Sequence, residues 1–237
     1  MARLRGRIAL VTGASRGIGA AVAERFAREG AHVLAVARGN KGLEALDDRI
    51  RGAGGSATLV PLDLTDGPAI DRLGGSIAER YRRLDILVGN AALLGTLGPL
   101  AHTLPEIWDR VLDVNVTANW RLIRSMDALL RASDAGRAIF VTSGVARAVF
   151  PYWGAYATSK AALEMMVRVY AAEVAKSAVR VNILDPGVVR TAMRALAMPG
   201  EDPMTLPPPE AIVGSFVRLA SPGYRANGRI LRARASL

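Results

Sequence analysis

Cysteine is absent from the 237-residue chain, and histidine occurs only twice, as His32 and His102. Without cysteine the protein has no disulfides, zinc–thiolate sites, iron–sulfur clusters or cysteine nucleophiles. Two histidines are too few to form much of a metal site, and we interpret both as structural. We therefore expect no bound metal.

Long hydrophobic runs are also lacking. No stretch reaches the roughly 18 uninterrupted apolar residues of a membrane-spanning helix. The apolar run before Gly13 is too short for the core of a signal peptide. The sequence thus predicts a cytoplasmic protein without a membrane partner.

Lysine is scarce: three of the 31 basic residues are lysines, and the rest are arginines. The net charge of +10 would ordinarily suggest a nucleic-acid or anionic-membrane partner. However, the arginines are spread along the chain, with no run of five like charges. We expect a compositional bias plus one or two anion sites and no nucleic-acid partner. A basic nucleic-acid groove remains the alternative, and salt-dependent DNA binding would reveal it.

Short, β-branched apolar runs alternate along the chain with segments of helical periodicity. The predicted strands are 8–11, 32–36, 58–62, 84–88, 138–142, 180–184 and 229–233, and the predicted helices are 20–29, 43–51, 70–81, 105–131, 156–176 and 211–220. Continuous apolar strands separated by helices indicate a parallel sheet that is covered on both faces. The predicted fold is α/β, a doubly wound, mostly parallel sheet of about seven strands flanked by helices, in a single domain spanning 1–237.

One segment interrupts this alternation. After Pro186, five further prolines up to Pro209 occur together with Gly200, Glu201 and Asp202, so regular structure is not expected there. A long irregular stretch after the carboxyl end of a strand is typical of a binding loop. We predict a substrate lid at about 188–210, with a plain linker as the alternative.

Three glycines, Gly13, Gly17 and Gly19, fall between the first strand and the first helix. Glycines there allow unusual dihedrals and close approach of a pyrophosphate to a helix N-terminus. The spacing differs from G-x-G-x-x-G, and no Gly-Lys-Ser/Thr triphosphate loop is present. A glycine turn that serves only tight packing is the alternative.

Tyr156 and Lys160 lie four residues apart, which places them on one face of a helix. A nearby positive charge favours phenolate, so the pair predicts a tyrosine with a lowered pKa that acts as an acid or base. Ser143, at the end of the fifth strand, could hold a carbonyl or hydroxyl oxygen beside the phenol. A surface Tyr–Lys pair is the alternative when these residues are taken singly.

The string Thr-Gly-Ala-Ser-Arg-Gly-Ile-Gly at 12–19, with Ser143 and Tyr-x-x-x-Lys, resembles the short-chain dehydrogenase/reductase superfamily. The resemblance covers the chain from Arg7 to about residue 220 and implies a Rossmann-like, dinucleotide-binding enzyme. It implies that Tyr156 is the acid/base, that Ser143 positions the substrate oxygen, and that Lys160 lowers the tyrosine pKa and binds the nicotinamide ribose. Asn115 matches the asparagine that supports a water-linked proton relay.

The same resemblance implies a set of cofactor contacts. Asp63 matches the acidic residue that bonds the adenine amino group, and Leu64 follows it. The segment from Pro186 matches one that closes over the nicotinamide carboxamide. The full set expected to bind cofactor is Gly13, Ser15, Arg16, Gly17, Ile18, Gly19, Arg38, Asp63, Leu64, Asn90, Ala91, Tyr156, Lys160, Pro186, Gly187, Val188 and Thr191.

Two departures from the family pattern are visible. The family's Asn-Asn-Ala-Gly is here Gly89-Asn90-Ala91-Ala92, from which we expect an altered cofactor contact without loss of binding. The usual glycine-rich C-terminal segment is reduced, which puts subunit contacts made there by tetrameric relatives in doubt. Other motifs, such as Trp153 to Lys160, resemble a little-characterised bacterial group of oxidoreductases whose substrates are not defined.

The end of the second strand indicates which cofactor is preferred. An NAD enzyme needs a carboxylate there for the ribose hydroxyls, and this chain has Arg38 instead. Together with Arg16, it could flank a ribose 2′-phosphate through bidentate hydrogen bonds. The sequence predicts NADP(H) over NAD(H), with two solvated surface arginines as the alternative.

These features predict hydride transfer between NADP(H) and a carbonyl or secondary alcohol, most simply by a ketone or aldehyde reductase. The predicted pocket walls are mainly apolar: Leu93, Leu94, Val145, Tyr152, Trp153, Val188, Met193, Leu196 and Met198. The alternatives are an NAD-dependent alcohol or sugar dehydrogenase and a dinucleotide-sensing regulator without turnover. Helices at about 106–131 and 155–176 resemble family dimer interfaces, so a homodimer or homotetramer is expected.

Overall fold

The computed structural model describes residues 2–234, in which seven strands form one sheet. The strands are β1 (Ile8–Thr12), β2 (His32–Ala37), β3 (Ser56–Pro61), β4 (Ile86–Gly89), β5 (Arg137–Val141), β6 (Arg180–Asp185) and β7 (Ile230–Arg232). The helices are α1 (Gly17–Arg28), α2 (Asn40–Gly52), α3 (Gly67–Tyr81), α4 (Pro105–Leu112), α5 (Ala118–Arg131), α6 (Gly154–Glu173), α7 (Ala192–Ala197) and α8 (Val213–Ala220).

All neighbouring strands are parallel, and their order is β3-β2-β1-β4-β5-β6-β7. In this register Val11 of β1 lies between Ala35 of β2 and Val88 of β4. The chain reverses its direction of winding between β1 and β4. Open α/β sheets bind ligands at the carboxyl ends of the strands beside such a switch point. The predicted doubly wound, parallel sheet is confirmed.

Apolar side chains on both faces of the sheet explain why its strands are almost continuously hydrophobic. On one face Val11 and Val88 pack in a buried cluster with residues of α1, α2 and α8. On the other face Leu10 and Leu87 pack with residues of α3, α5 and α6. The sheet is thus the middle of three layers.

The predicted helix over 105–131 is two α-helices joined by a π-helical segment, Asp113–Thr117. The junction residues keep right-handed helical dihedrals, so α4, the π-turn and α5 follow one another without a break. A π-turn inside a helix is often found at functional sites. This one carries Asn115.

Regular structure in the proline-rich segment corrects the sequence-based expectation. The helix α7 occupies Ala192–Ala197, and its N-cap Thr191 accepts a hydrogen bond from the Arg194 backbone N–H at 3.1 Å. Two 3₁₀ turns, Pro203–Thr205 and Pro209–Ile212, follow it. The prolines stand at the first positions of those turns, where proline is favourable.

Among residues 2–234, no helix combines the length and apolar character needed to cross a membrane. The same part of the chain contains no group of three or more acidic or histidine side chains placed to hold a metal ion.

Candidate active site

A cleft of about 560 Å³ lies at the carboxyl ends of the strands. Its walls come from the turn after β1, the ends of β2 to β6 and the segment that begins at Pro186. Its lining includes most of the predicted site residues: Gly13, Ser15, Arg16, Gly17, Ile18, Arg38, Asp63, Leu64, Asn90, Ala91, Ser143, Tyr156, Lys160, Pro186, Gly187, Val188 and Thr191. Gly19 and Asn115 lie behind this lining.

The glycine turn depends on backbone conformations and spaces that side chains would disturb. Gly13 and Gly17 have φ values of +67° and +57°, in the left-handed region. A Cβ at Gly19 would meet the Gly13 carbonyl oxygen at 2.2 Å. The turn therefore brings its backbone onto the start of α1, which creates a concave surface suited to a phosphate group.

Thr12 and Asn90 attach this turn to the end of β4. The Thr12 Oγ1 accepts hydrogen bonds from the backbone N–H groups of Asn90 at 3.0 Å and Ala91 at 3.1 Å. The Asn90 side-chain amide donates to the Thr12 carbonyl at 2.8 Å. Asn90 thus fixes the position of the glycine turn relative to the next strand in the sheet.

Gly89, one of the two departures from the family pattern, has a steric explanation. A Cβ at this position would come within 2.4 Å of the Asn119 Oδ1 and 2.5 Å of the Phe140 ring. Asn119 is buried and donates to the Asn115 carbonyl at 2.9 Å. The space beside Gly89 is already filled, while Ala92 lines the cleft.

Ser143, Tyr156 and Lys160 meet on the cleft wall because β5 ends beside the first turns of α6. The Ser143 side chain lies near enough to the Tyr156 phenol to lower its pKa. The Lys160 ammonium donates to the Val141 carbonyl at 2.8 Å and lies 5.6 Å from the centre of the Tyr156 ring. A proton donor, a second hydroxyl and a cation therefore face one point of the cleft.

Burial sets the acid–base properties of this group. Desolvation raises the pKa of Tyr156 to about 12, although the Ser143 side chain acts in the opposite direction. Desolvation also lowers the pKa of Lys160 to about 8. The expected lowering of the Tyr156 pKa is therefore wrong for this structure, because the loss of water around the phenol outweighs the favourable effects.

Asn115 is fully buried behind this group. Its side-chain carbonyl accepts from the Leu93 backbone N–H at 2.8 Å, and its amide donates to the Leu93 carbonyl and to Ser159 Oγ, both at 2.9 Å. The side chain thereby ties the segment after β4 to α6. Its main-chain carbonyl accepts the hydrogen bond from Asn119 described above.

Cations surround the opposite end of the cleft. Arg16 and Arg38 are exposed, and neither forms an ion pair within the described residues 2–234. Hydrogen bonds from Thr65 hold the pKa of the Asp63 carboxyl below its usual value, and the charges of Arg38 and Arg110 add to this effect. Sequence reasoning missed Arg110, which lines the cleft from α4.

The predicted apolar walls are confirmed in part. Leu93, Leu94, Trp153, Val188 and Met193 line the cleft. The cleft lining does not include the other expected wall residues, which are Val145, Tyr152, Leu196 and Met198. Leu196 and Met204, on the predicted lid segment, are each 75% exposed.

A second group missed by sequence reasoning lies next to the cleft. Arg147 contacts Glu164 at 3.0 Å and Asp185 at 2.5 Å. The three residues come from different elements, and a single sequence gives no signal that joins them. Their charges and burial could be recognised only once the chain is folded.

Comparison with known proteins agrees with this geometry. The family model described as short chain dehydrogenase matches residues 7–202. The uncharacterised oxidoreductase YciK of Escherichia coli K12 is 40% identical over 219 residues, which are 91% of this chain and 86% of that protein.

Two similar solved structures contain a dinucleotide. A short chain dehydrogenase from Shigella flexneri 2a strain 301, complexed with NADP, has a TM-score of 0.93 and 38% identity, and the match covers 97% of this chain and 98% of that one. A short chain dehydrogenase from Escherichia coli CFT073, complexed with NADPH, has a TM-score of 0.92 and 38% identity, with 98% of each chain covered.

Proposed function

Because the chain belongs to the short chain dehydrogenase family, we propose that it transfers hydride between NADP(H) and a carbonyl or secondary alcohol, acting as a ketone or aldehyde reductase. The observation that carries the proposal is the convergence of Ser143, Tyr156 and Lys160 on a cleft whose other end holds a glycine turn and two arginines. This arrangement provides acid–base chemistry at one end and anion recognition at the other.

The cleft residues fit NADP(H). The backbone of the glycine turn and the start of α1 would hold the pyrophosphate, since Gly13 and Gly17 line the cleft without a side chain that would cover it. Arg16 and Arg38, without carboxylate partners in the described chain, would bind the 2′-phosphate. The NADP and NADPH in the two solved relatives support this assignment. When bound, the cofactor supplies or accepts the hydride.

Tyr156 supplies the proton in the direction of reduction. Its pKa of about 12 keeps the phenol protonated at neutral pH, so it can donate to a carbonyl oxygen that is becoming an alkoxide. Ser143 holds that oxygen beside the phenol. Lys160 provides a positive charge that stabilises the phenolate once the proton has left.

Asn115 acts by position. Its side chain holds the Leu93 backbone and thereby shapes the wall nearest to Tyr156. Leu93, Leu94, Trp153 and Met193 provide apolar surface around the reaction point. We therefore favour a ketone or aldehyde on a hydrophobic carrier over a small polyol.

The test is consumption of NADPH by the purified protein with a panel of hydrophobic ketones, aldehydes and quinones. Tyr156→Phe should abolish turnover, with a loss of at least about 100-fold, because the proton donor is removed. NADPH affinity should stay within about threefold of wild type, because the substitution leaves the interactions that bind the cofactor in the ground state unchanged.

Tyr224→Phe is the matched control, because Tyr224 lies outside the cleft lining and loses the same hydroxyl. It should retain wild-type turnover. If no member of the panel is reduced, or if Tyr156→Phe remains active, the proposed function is wrong.

A further inference from the structure

One arginine beside the proposed active site touches two buried carboxylates at once. The Arg147 Nη1 donates to Glu164 Oε1 at 3.0 Å, and its Nη2 donates to Asp185 Oδ2 at 2.5 Å. The Arg147 side chain is 40% exposed, whereas the side chains of Glu164 and Asp185 are only 10% and 9% exposed. Within residues 2–234, Arg147 is the only ion-pair partner of either carboxylate.

Each end of this bridge belongs to a segment that carries a proposed site residue. Arg147 follows Ser143 by four residues and caps the 3₁₀ turn Gly144–Ala146 after β5. Glu164 follows Lys160 by four residues, one turn further along α6. Asp185 directly precedes Pro186 and Gly187 at the end of β6.

Further hydrogen bonds fix both carboxylates at these places. Glu164 Oε1 also accepts from the Thr142 hydroxyl at 2.7 Å, and Asp185 Oδ1 accepts from the Gly187 backbone N–H at 3.0 Å. The bridge therefore connects the strand end that presents Ser143, the helix that presents Tyr156 and the turn that opens the lid segment.

Charge gives the bridge a second effect. Two buried carboxylates held near one another repel, and burying either without a cation is costly. One guanidinium can satisfy both because its planar donors point in separate directions. Arg147 is absent from the cleft lining, so it acts on the site through the groups that it holds.

We infer that Arg147 is a positioning residue for the reaction. By bridging Glu164 and Asp185, it fixes the positions of Ser143, Tyr156 and the Pro186–Gly187 turn relative to one another. This inference rests on the proposed function. Arg147, which lies outside the cleft, thus affects the rate of proton and hydride transfer but not the affinity for the cofactor.

The experiment compares Arg147→Met with the double variant Arg147→Met/Asp185→Asn. The single change leaves two facing carboxylates without a cation. The double change removes one of the two charges, while an asparagine oxygen can still accept from the Gly187 N–H. Arg25→Met is the matched control, because Arg25 has the same side-chain exposure of 40% and one carboxylate partner, Glu29, away from the cleft.

We expect Arg147→Met to lower kcat by at least about tenfold, as misplacement of reacting groups does, with the Kd for NADPH within about threefold of wild type. The double variant should keep the lowered kcat, because it relieves the charge imbalance but still lacks the bridge. The melting temperature should fall for Arg147→Met and recover in the double variant. Arg25→Met should leave kcat unchanged.

Wild-type kcat in Arg147→Met overturns the inference, and so does recovery of wild-type kcat in the double variant, since charge balance without the bridge would then be sufficient. If Arg147→Met does not fold, the double variant decides alone: a kcat at least about tenfold below wild type with the Kd for NADPH unchanged supports the bridge, and wild-type kcat overturns it. A wild-type protein that neither binds NADPH nor reduces a carbonyl probe overturns the proposed function, and this inference with it.

Discussion

Tyr156 and Lys160 show how burial changes the chemistry that a motif suggests. Their spacing correctly places them on one face of α6 beside the end of β5. Both are almost fully buried, at 8% and 2% exposure, so each is held toward its neutral form. The sequence contains the spacing but not the degree of desolvation, and for this reason the direction of the Tyr156 pKa could not be predicted from it.

A pH profile of carbonyl reduction tests this electrostatic arrangement. The pKa of Lys160 is lowered to about 8, so its ammonium is present below that pH and is lost above it. The phenol of Tyr156 remains protonated across the same range because its pKa is about 12. We therefore expect kcat for reduction to be constant in the neutral range and to fall as the pH rises through about 8.

Circular dichroism at each pH is the control for unfolding. A kcat for reduction that rises with pH across this range would show that deprotonation of Tyr156 limits the rate, and would contradict the assignment of a protonated phenol as donor.

At the scale of elements, the glycine turn and α1 form a unit whose close packing excludes side chains. A Cβ at Gly19 would meet the Gly13 carbonyl oxygen at 2.2 Å and the Asn90 side chain at 2.6 Å. Gly19→Ala should therefore lower the free energy of unfolding by about 1–3 kcal/mol, the usual cost of overpacking. It should also weaken NADPH binding, since the turn must shift. Urea unfolding and fluorescence titration measure the two effects.

Gly75→Ala is the matched control within the same protein. Gly75 lies inside α3 with no atom within 4 Å of an added Cβ. Alanine there should raise the free energy of unfolding by about 0.5–1 kcal/mol, because glycine is the poorer helix former. Equal stability changes in the two variants would contradict the packing argument.

The elements themselves were predicted well where periodicity is strong. All seven strands lie within a few residues of their predicted positions, because buried parallel strands are continuous apolar runs. The π-turn around Asn115 could not be predicted, because a local change in the backbone hydrogen bonds of a helix does not alter the pattern of apolar residues in the sequence. The helix α7 was missed because prolines on its C-terminal side masked a short helix capped by Thr191.

The site was predictable to the extent that its residues belong to contiguous motifs. The glycine turn, Tyr156 and Lys160 were proposed from local motifs combined with the family resemblance, since their spacing alone left other interpretations open. Arg110 and Arg147 were not, because they reach their partners from separate elements. The side-chain contacts of Asn115 with Leu93 and Ser159 were likewise inaccessible from sequence.

At the scale of the whole molecule, apolar side chains on α6 support the prediction of a homo-oligomer. Met165 and Val169 are one helical turn apart and are 59% and 50% exposed. Replacing both by glutamate should separate the subunits, since two buried charges of one sign would oppose association. Light scattering should show the mass of a dimer or tetramer for the wild type and of a monomer for the variant.

Met204→Glu is the control for added charge, because Met204 is 75% exposed on the lid segment, outside α6. It should keep the wild-type mass. A monomeric wild-type protein would refute the predicted assembly.

The most direct test of the central claim is titration of the purified protein with NADPH and NADH, followed by nicotinamide fluorescence. We predict that NADPH binds at least about tenfold more tightly, a difference of about 1.4 kcal/mol in binding free energy. The reason is that Arg38 stands where an NAD enzyme needs a carboxylate, and Arg16 in the glycine turn provides a second guanidinium for the 2′-phosphate. Equal affinity for the two cofactors would contradict the role of the arginines, and binding of neither would contradict the proposed function itself.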